Sequence, residues 1–182
     1  MSADLRTLPE ELELPGLLAE HLDASLARVE AVAEGTDPAP AEARVDAAEA
    51  YAVAAGVRLP LIDLQERYGL SPLERDLLLL ALRPQLRLTT RGQVGSLAEL
   101  LDLLHLDTLL QLAAQACLDP GMPLRRHRLM DLWSRDPESH AQVLAQQVLA
   151  PPRVAAFLTG RIALGSALSQ LASVVHPSPA AD

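Results

Sequence analysis

The chain has 182 residues and a mass of 19.5 kDa; 49% of its residues are hydrophobic but only 2% aromatic, so Leu, Ala and Val must build the core, which favours packed helices over a β-sandwich. Its 15 basic residues, all Arg, face 24 Asp and Glu, giving a net charge of −9. The absence of Lys excludes a P-loop and Schiff-base chemistry, and a single Cys excludes an intramolecular disulfide or a cysteine-based zinc cluster.

The first residues carry Glu10, Glu11 and Glu13 where a secretory signal would need basic residues and an apolar stretch. The longest wholly apolar run, 77–82, is far short of the roughly 20 residues that span a bilayer. The expectation is a cytoplasmic protein without a membrane segment. The acidity sits in the first third: residues 1–60 carry 4 Arg against 12 Asp and Glu, and the remainder 11 Arg against 12. Anionic polymers are repelled there.

Leu14, Leu18, Leu22, Leu26, Val29 and Val32 recur at steps of three and four, the pattern of an amphipathic helix. Gly35 and the Pro-containing stretch 36–40 end it. A second helix over 41–55 has a thin stripe of Val45, Ala48, Ala52 and Ala55. Together they predict a helical hairpin. Leu61, Leu64 and Tyr68 then share a helical face, and Gly69 stands where a left-handed C-terminal cap belongs. Ser71, Pro72 and Glu74 predict an N-cap, an N1 proline and a capping box. The helix they open is apolar nearly all round, from Leu73 to Leu82, so it belongs at the centre of the core, and it is expected to stop before Pro84.

A loop over 87–95 follows. Ser96 and Glu99 form a second capping box, opening a short helix with Leu97, Leu100, Leu101 and Leu104 inward. Asp107 is expected to cap another, with Leu109, Leu112, Ala113 and Ala116 inward and Cys117 beside them. After the breaker at 119–123, residues 124–133 read as a strand, 134–139 as a polar turn, and 143–149 as the return strand; one helix over 140–150 is the alternative. Pro151 and Pro152 introduce a helix over 153–159 closed by Gly160. A last helix is expected over 162–174, followed by a disordered tail.

The order of these elements is that of an elaborated winged helix. The stretch Leu64-Gln65-Glu66-Arg67-Tyr68-Gly69-Leu70-Ser71-Pro72-Leu73-Glu74-Arg75-Asp76-Leu77-Leu78-Leu79-Leu80 closely resembles the variant winged-helix domain that precedes the ATPase module in certain bacterial AAA+ ATPases, commonly encoded with phage-tail-like contractile injection systems. Pro84-Gln85-Leu86, the stretch from Pro123 to Leu129, and Pro151-Pro152-Arg153-Val154-Ala155-Ala156-Phe157-Leu158-Thr159-Gly160 resemble later parts of that domain. The resemblance covers about residues 61–160; with the charge and periodicity on either side, the expected segments are an acidic helical extension (1–60), a winged-helix-like domain (61–160), and a C-terminal helix with a tail (161–182). The expected fold is mainly α: a winged-helix-like helical core with a small two-stranded β-hairpin wing, preceded by an N-terminal helical hairpin. The ATP chemistry of the resembled proteins lies outside this sequence, which has no Walker motif, so no catalytic residue carries over.

The function this implies is a non-catalytic protein-interaction or adaptor module. It would recruit a client, contact the injection particle or help assemble a ring, without a cofactor. The alternatives are a DNA-binding transcriptional regulator and a structural subunit of the particle. The candidate interaction residues are Arg125, Arg126, His127, Arg128 and Trp133. Three Arg in a strand would point to both faces, and the acidic balance opposes a nucleic-acid partner. Trp133 either anchors a partner or fills the space between wing and helices. His21, His105, His127, His140 and His176 show no metal-ligand spacing, and Cys117 reads as a small buried hydrophobe. The expected partner is a protein; self-association is compatible with the sequence.

Overall fold

A computed structural model describes residues 14–87, 96–104, 108–133 and 145–160. The leucine periodicity of the first segment produces α1 (Leu14–Ala33), and α2 (Ala39–Ala54) follows after a short turn. Gly35 adopts φ 67° and the Thr36 amide donates to the Ala31 carbonyl at 2.9 Å, a Schellman closure. α2 buries only Ala41, Ala48 and Ala52. Leu17 of α1 and Leu59 pack over Ala48 and Ala52 as a small second cluster. The rest of the inner face of α1 belongs to the main core, where Leu22, Leu26 and Val29 join the leucines that follow. α1, grouped by its acidity with an N-terminal extension, is therefore built into the body of the domain.

α3 (Pro60–Tyr68) buries Leu61 and Leu64 and ends at Gly69, with φ 64°. α4 (Pro72–Leu86) opens with both arms of the capping box in place: Ser71 Oγ accepts from the Glu74 amide at 3.2 Å, and the Ser71 amide donates to Glu74 Oε2 at 2.8 Å. Leu77, Leu78, Leu79, Leu80 and Leu82 are wholly buried, so this helix is the centre of the molecule, each leucine contributing about 2 kcal/mol of burial. The helix does not stop before Pro84. It runs through Pro84 to Leu86, and the Arg87 amide still reaches the Arg83 carbonyl at 2.9 Å. Pro84 has no amide to give the Leu80 carbonyl, but it sits in the last turn, so only Gln85 and Leu86 continue the helix beyond it. Contacts on both sides hold that turn: Gln85 Nε2 donates to the Ala150 carbonyl at 2.7 Å, and Arg83 lies 2.7 Å from Glu30. Arg83 Nε approaches Glu30 off the N–H direction, as an ion pair rather than a hydrogen bond.

α5 (Leu97–Leu103) is capped by Ser96 and Glu99 and buries Leu97, Leu100 and Leu101, with Leu104 just beyond its end. α6 (Thr108–Ala116) follows; the cap expected at Asp107 and most of the loop over 87–95 lie outside the described residues. The strand expected from Leu124 begins only at Asp131. Residues Pro123–Arg126 form a short helix, α7, with Pro123 at its first position. The Leu124 carbonyl accepts from both the Leu129 and Met130 amides, at 2.9 and 3.0 Å, so the backbone there is turned back on itself and cannot extend.

β1 (Asp131–Trp133) and β2 (Gln147–Leu149) pair antiparallel, with Asp131 opposite Leu149, Leu132 opposite Val148 and Trp133 opposite Gln147. The return segment is thus a strand where it is described, not the alternative helix; the turn expected at 134–139 lies outside the described residues. Ser96 makes an isolated bridge to Gln147, and the Leu97 amide donates to the Gln146 carbonyl at 2.9 Å. The wing is thereby tied to the start of α5. α8 (Pro152–Leu158) buries Val154 and Leu158 against α3 and α4 and closes at Gly160, with φ 70°. The helix expected over 162–174 and the tail lie outside the described residues. The architecture is mainly α, a helical core carrying a small two-stranded wing. None of the described helices is long and apolar enough to cross a membrane.

Candidate functional site

α6 follows α5 after the four residues 104–107. Its orientation reverses the one its spacing suggested. Ala114 is buried, with Cys117 and Leu118 just past its end, while Ala113 and Ala116 are exposed, Leu109 is 78% exposed and Leu112 57%. The expected inner stripe therefore faces solvent. The sequence carries two apolar stripes here, since Leu110, Ala114, Cys117 and Leu118 also recur at helical spacing. Helical periodicity alone gives no preference between them. The outward stripe has no charged residue, nor has the helix as a whole.

The second feature is the corner where α7 meets the wing. Arg126, His127 and Arg128 are exposed in succession, while Arg125 is half-buried, its guanidinium donating to the Leu118 carbonyl at 3.4 Å. These residues do not alternate between two faces, because they lie on a helical turn and its cap rather than in a strand. His127 caps α7 and its ring lies 4.8 Å from that of Tyr68. Arg153 of α8, which was not among the candidate interaction residues, donates to the Arg128 carbonyl at 2.6 Å and so joins the corner.

Arg128 has φ 52°, the left-handed region; Gly35, Gly56, Gly69 and Gly160 occupy the other described positions with positive φ. It is the C′ residue of a Schellman closure, whose 6→1 bond is Leu129 N–H to Leu124 C=O. A side chain there costs about 1 kcal/mol of backbone strain.

The described arginines fall into two groups. Arg28, Arg44, Arg58, Arg67, Arg75, Arg83 and Arg87 each lie within ion-pair reach of a carboxylate. Arg125, Arg126, Arg128 and Arg153 have no carboxylate partner among the described residues. The signal was present in the sequence: residues 121–130 and 143–160 contain no Asp or Glu.

Trp133 does not fill the space between wing and helices. It is 47% exposed on the outer face of β1, and Leu149 of β2 is 49% exposed. By the register, Asp131, Trp133, Gln147 and Leu149 share that face, while Leu132 and Val148 point to the core.

The titratable groups inside serve packing. Burial holds the His21 imidazole below its ordinary value, against the hydrogen bond and charge of Glu49, 3.4 Å away. Burial raises the Asp23 carboxyl, but hydrogen bonds from Arg44 and Arg87 outweigh it and leave the group below the usual carboxylate range. Burial, then the Glu74 carboxylate, push the Cys117 thiol up, outweighing a hydrogen bond with Ser71, which opposes the thiolate a nucleophile needs. Among the described residues no group of three or more His, Cys, Asp or Glu is placed to hold a metal ion.

The model of one protein family, the winged helix domain (variant), matches residues 22–172. The chain belongs to that family. The match begins within α1, whose leucines share the main core with α4. In this variant winged helix domain, β1–β2 is the wing, and α6 is the last described helix of more than one turn before it. No curated protein and no solved structure matches the chain.

Proposed function

We propose that the chain is a non-catalytic protein-docking module, an adaptor that binds a protein partner through α6 and the adjoining wing. The observation that carries this reading is α6. In a DNA-reading helix–turn–helix the second helix lies in the major groove and its side chains reach bases and phosphates. We take α6, the last helix of more than one turn before the wing, for that position; it offers Leu109 and Leu112 to solvent and has no cationic side chain. Exposed apolar area on a charge-free helix suits a protein surface. The net charge of −9 opposes a polyanion further.

The finer reading follows the resemblance of residues 64–80 to the domain that precedes the ATPase module of contractile-injection-system AAA+ proteins. The partner is then an ATPase module, a particle component or a client, met in the cytoplasm. The test is a photo-crosslinking side chain at Leu112, with the same group at exposed Val53 of α2 as control, using purified ATPase module and particle proteins. The expected result is crosslinking from position 112 alone. Equal crosslinking from both positions, or retention on duplex DNA at low ionic strength, would overturn the reading.

A further inference from the structure

We propose that the exposed corner formed by Arg126, Arg128 and Arg153 is a carboxylate-recognition site for an acidic segment of the protein partner. The inference rests on the docking reading above and adds the partner's chemistry.

Two independent observations meet at this corner. The first is charge. In a chain of net −9, these guanidinium groups are left without carboxylates among the described residues, whereas the arginines of α1 to α4 are matched to acids. A guanidinium binds a carboxylate through two parallel N–H···O bonds, so unmatched Arg held at one place is a surface complementary to acidic side chains. Arg153 is held there by its bond to the Arg128 carbonyl. The second is backbone conformation. Arg128 keeps a side chain at a left-handed position where glycine is favoured, as at Gly35, Gly56, Gly69 and Gly160. Strain kept in this way at an exposed residue points to a use for the side chain.

The occupant is an acidic protein segment rather than nucleic acid. Three guanidiniums can neutralise only a few phosphates, too few to hold a duplex against the acidic first third of the chain. A short segment needs only two or three carboxylates. The wing face with Trp133 and Leu149 begins within about 18 Å along the chain, near enough to take an apolar side chain of the same segment.

The probe is a short fluorescent peptide of alternating Glu and Leu, compared with its Gln/Leu counterpart and with a short DNA duplex. The Glu peptide is expected to bind in a salt-sensitive manner, and the other two are not. Arg128→Gly should weaken peptide binding roughly threefold to fivefold, the scale of one exposed charge pair, while its melting temperature rises by roughly 2 °C as the strain is relieved. A purely structural Arg128 could not give those opposite signs. Arg126→Glu, at an exposed position, should weaken binding roughly tenfold without lowering stability.

Equal binding of both peptides, tighter binding of the duplex, unchanged affinity in Arg128→Gly and Arg126→Glu, or salt-sensitive dimerisation in place of peptide binding would each overturn the proposal. Failure here with crosslinking intact at Leu112 removes only the acidic site. Peptide binding without crosslinking at Leu112 removes the α6 reading instead.

Discussion

The two capping boxes share one motif in different surroundings, so burial alone should separate the effects of Ser71→Ala and Ser96→Ala. An N-cap serine replaced by alanine costs about 1 kcal/mol, and Ser96→Ala should lose about that much, because the Ser96–Glu99 box is exposed. At Ser71 there is a further loss. Its hydroxyl donates to Glu74 Oε2 at 2.9 Å, Glu74 is only 2% exposed, and Glu74 Oε1 has no partner among the described residues. Deleting the hydroxyl leaves this buried carboxyl group with the Ser71 amide as its described donor. A buried polar group that loses a hydrogen bond costs about 1–3 kcal/mol, so Ser71→Ala should lose roughly 2–4 kcal/mol in all. Urea unfolding measures both, with unchanged m-values as the condition for comparing midpoints. Losses equal to within about 0.5 kcal/mol, or a larger loss at Ser96, would refute the burial argument.

Other consequences follow from the core and its charges. Leu78→Ala, at a wholly buried site, should cost about 2–5 kcal/mol, whereas Leu109→Ala on the exposed stripe of α6 should stay within about 0.5 kcal/mol; similar losses would contradict the observed orientation of that helix. The lowered pKa values of His21 and Asp23 act in one direction with pH. For each, the unfolded chain takes up a proton more readily, so stability is complete above the unfolded value and falls as pH drops. For His21 the loss begins near 6.5 and continues toward its lower folded value; for Asp23 it begins near 3.8. Glu49 and Arg75 are the charged groups acting on His21. Melting curves across pH 6.5 should show the first step, and His21→Gln should flatten it; an unchanged step would assign it elsewhere.

Several helix ends were legible from local signals, because caps act through neighbouring backbone atoms. Gly69 and the Ser71–Glu74 box are formed as their residue types require. The central place of α4 was equally legible, since a helix apolar on nearly all sides has nowhere else to go. What failed depended on tertiary contacts. Pro84 did not end α4, because Arg83 and Gln85 hold its last turn to α1 and to the chain before α8. The two stripes of α6 are equivalent in spacing, and only docking beside α4 chose between them. Residues 124–130 read as part of a strand, but Pro123 and the doubly bonded Leu124 carbonyl curl them into a helical turn. That turn brings the Arg128 carbonyl against Arg153, a meeting that requires residues far apart in sequence.

The docking claim is tested most directly by the affinity of the purified ATPase module or particle protein for the parent chain and for a Leu109→Ser/Leu112→Ser variant, with melting temperatures measured in parallel. The account predicts an affinity at least roughly tenfold weaker with an unchanged melting temperature. Equal affinities at equal stability would contradict it.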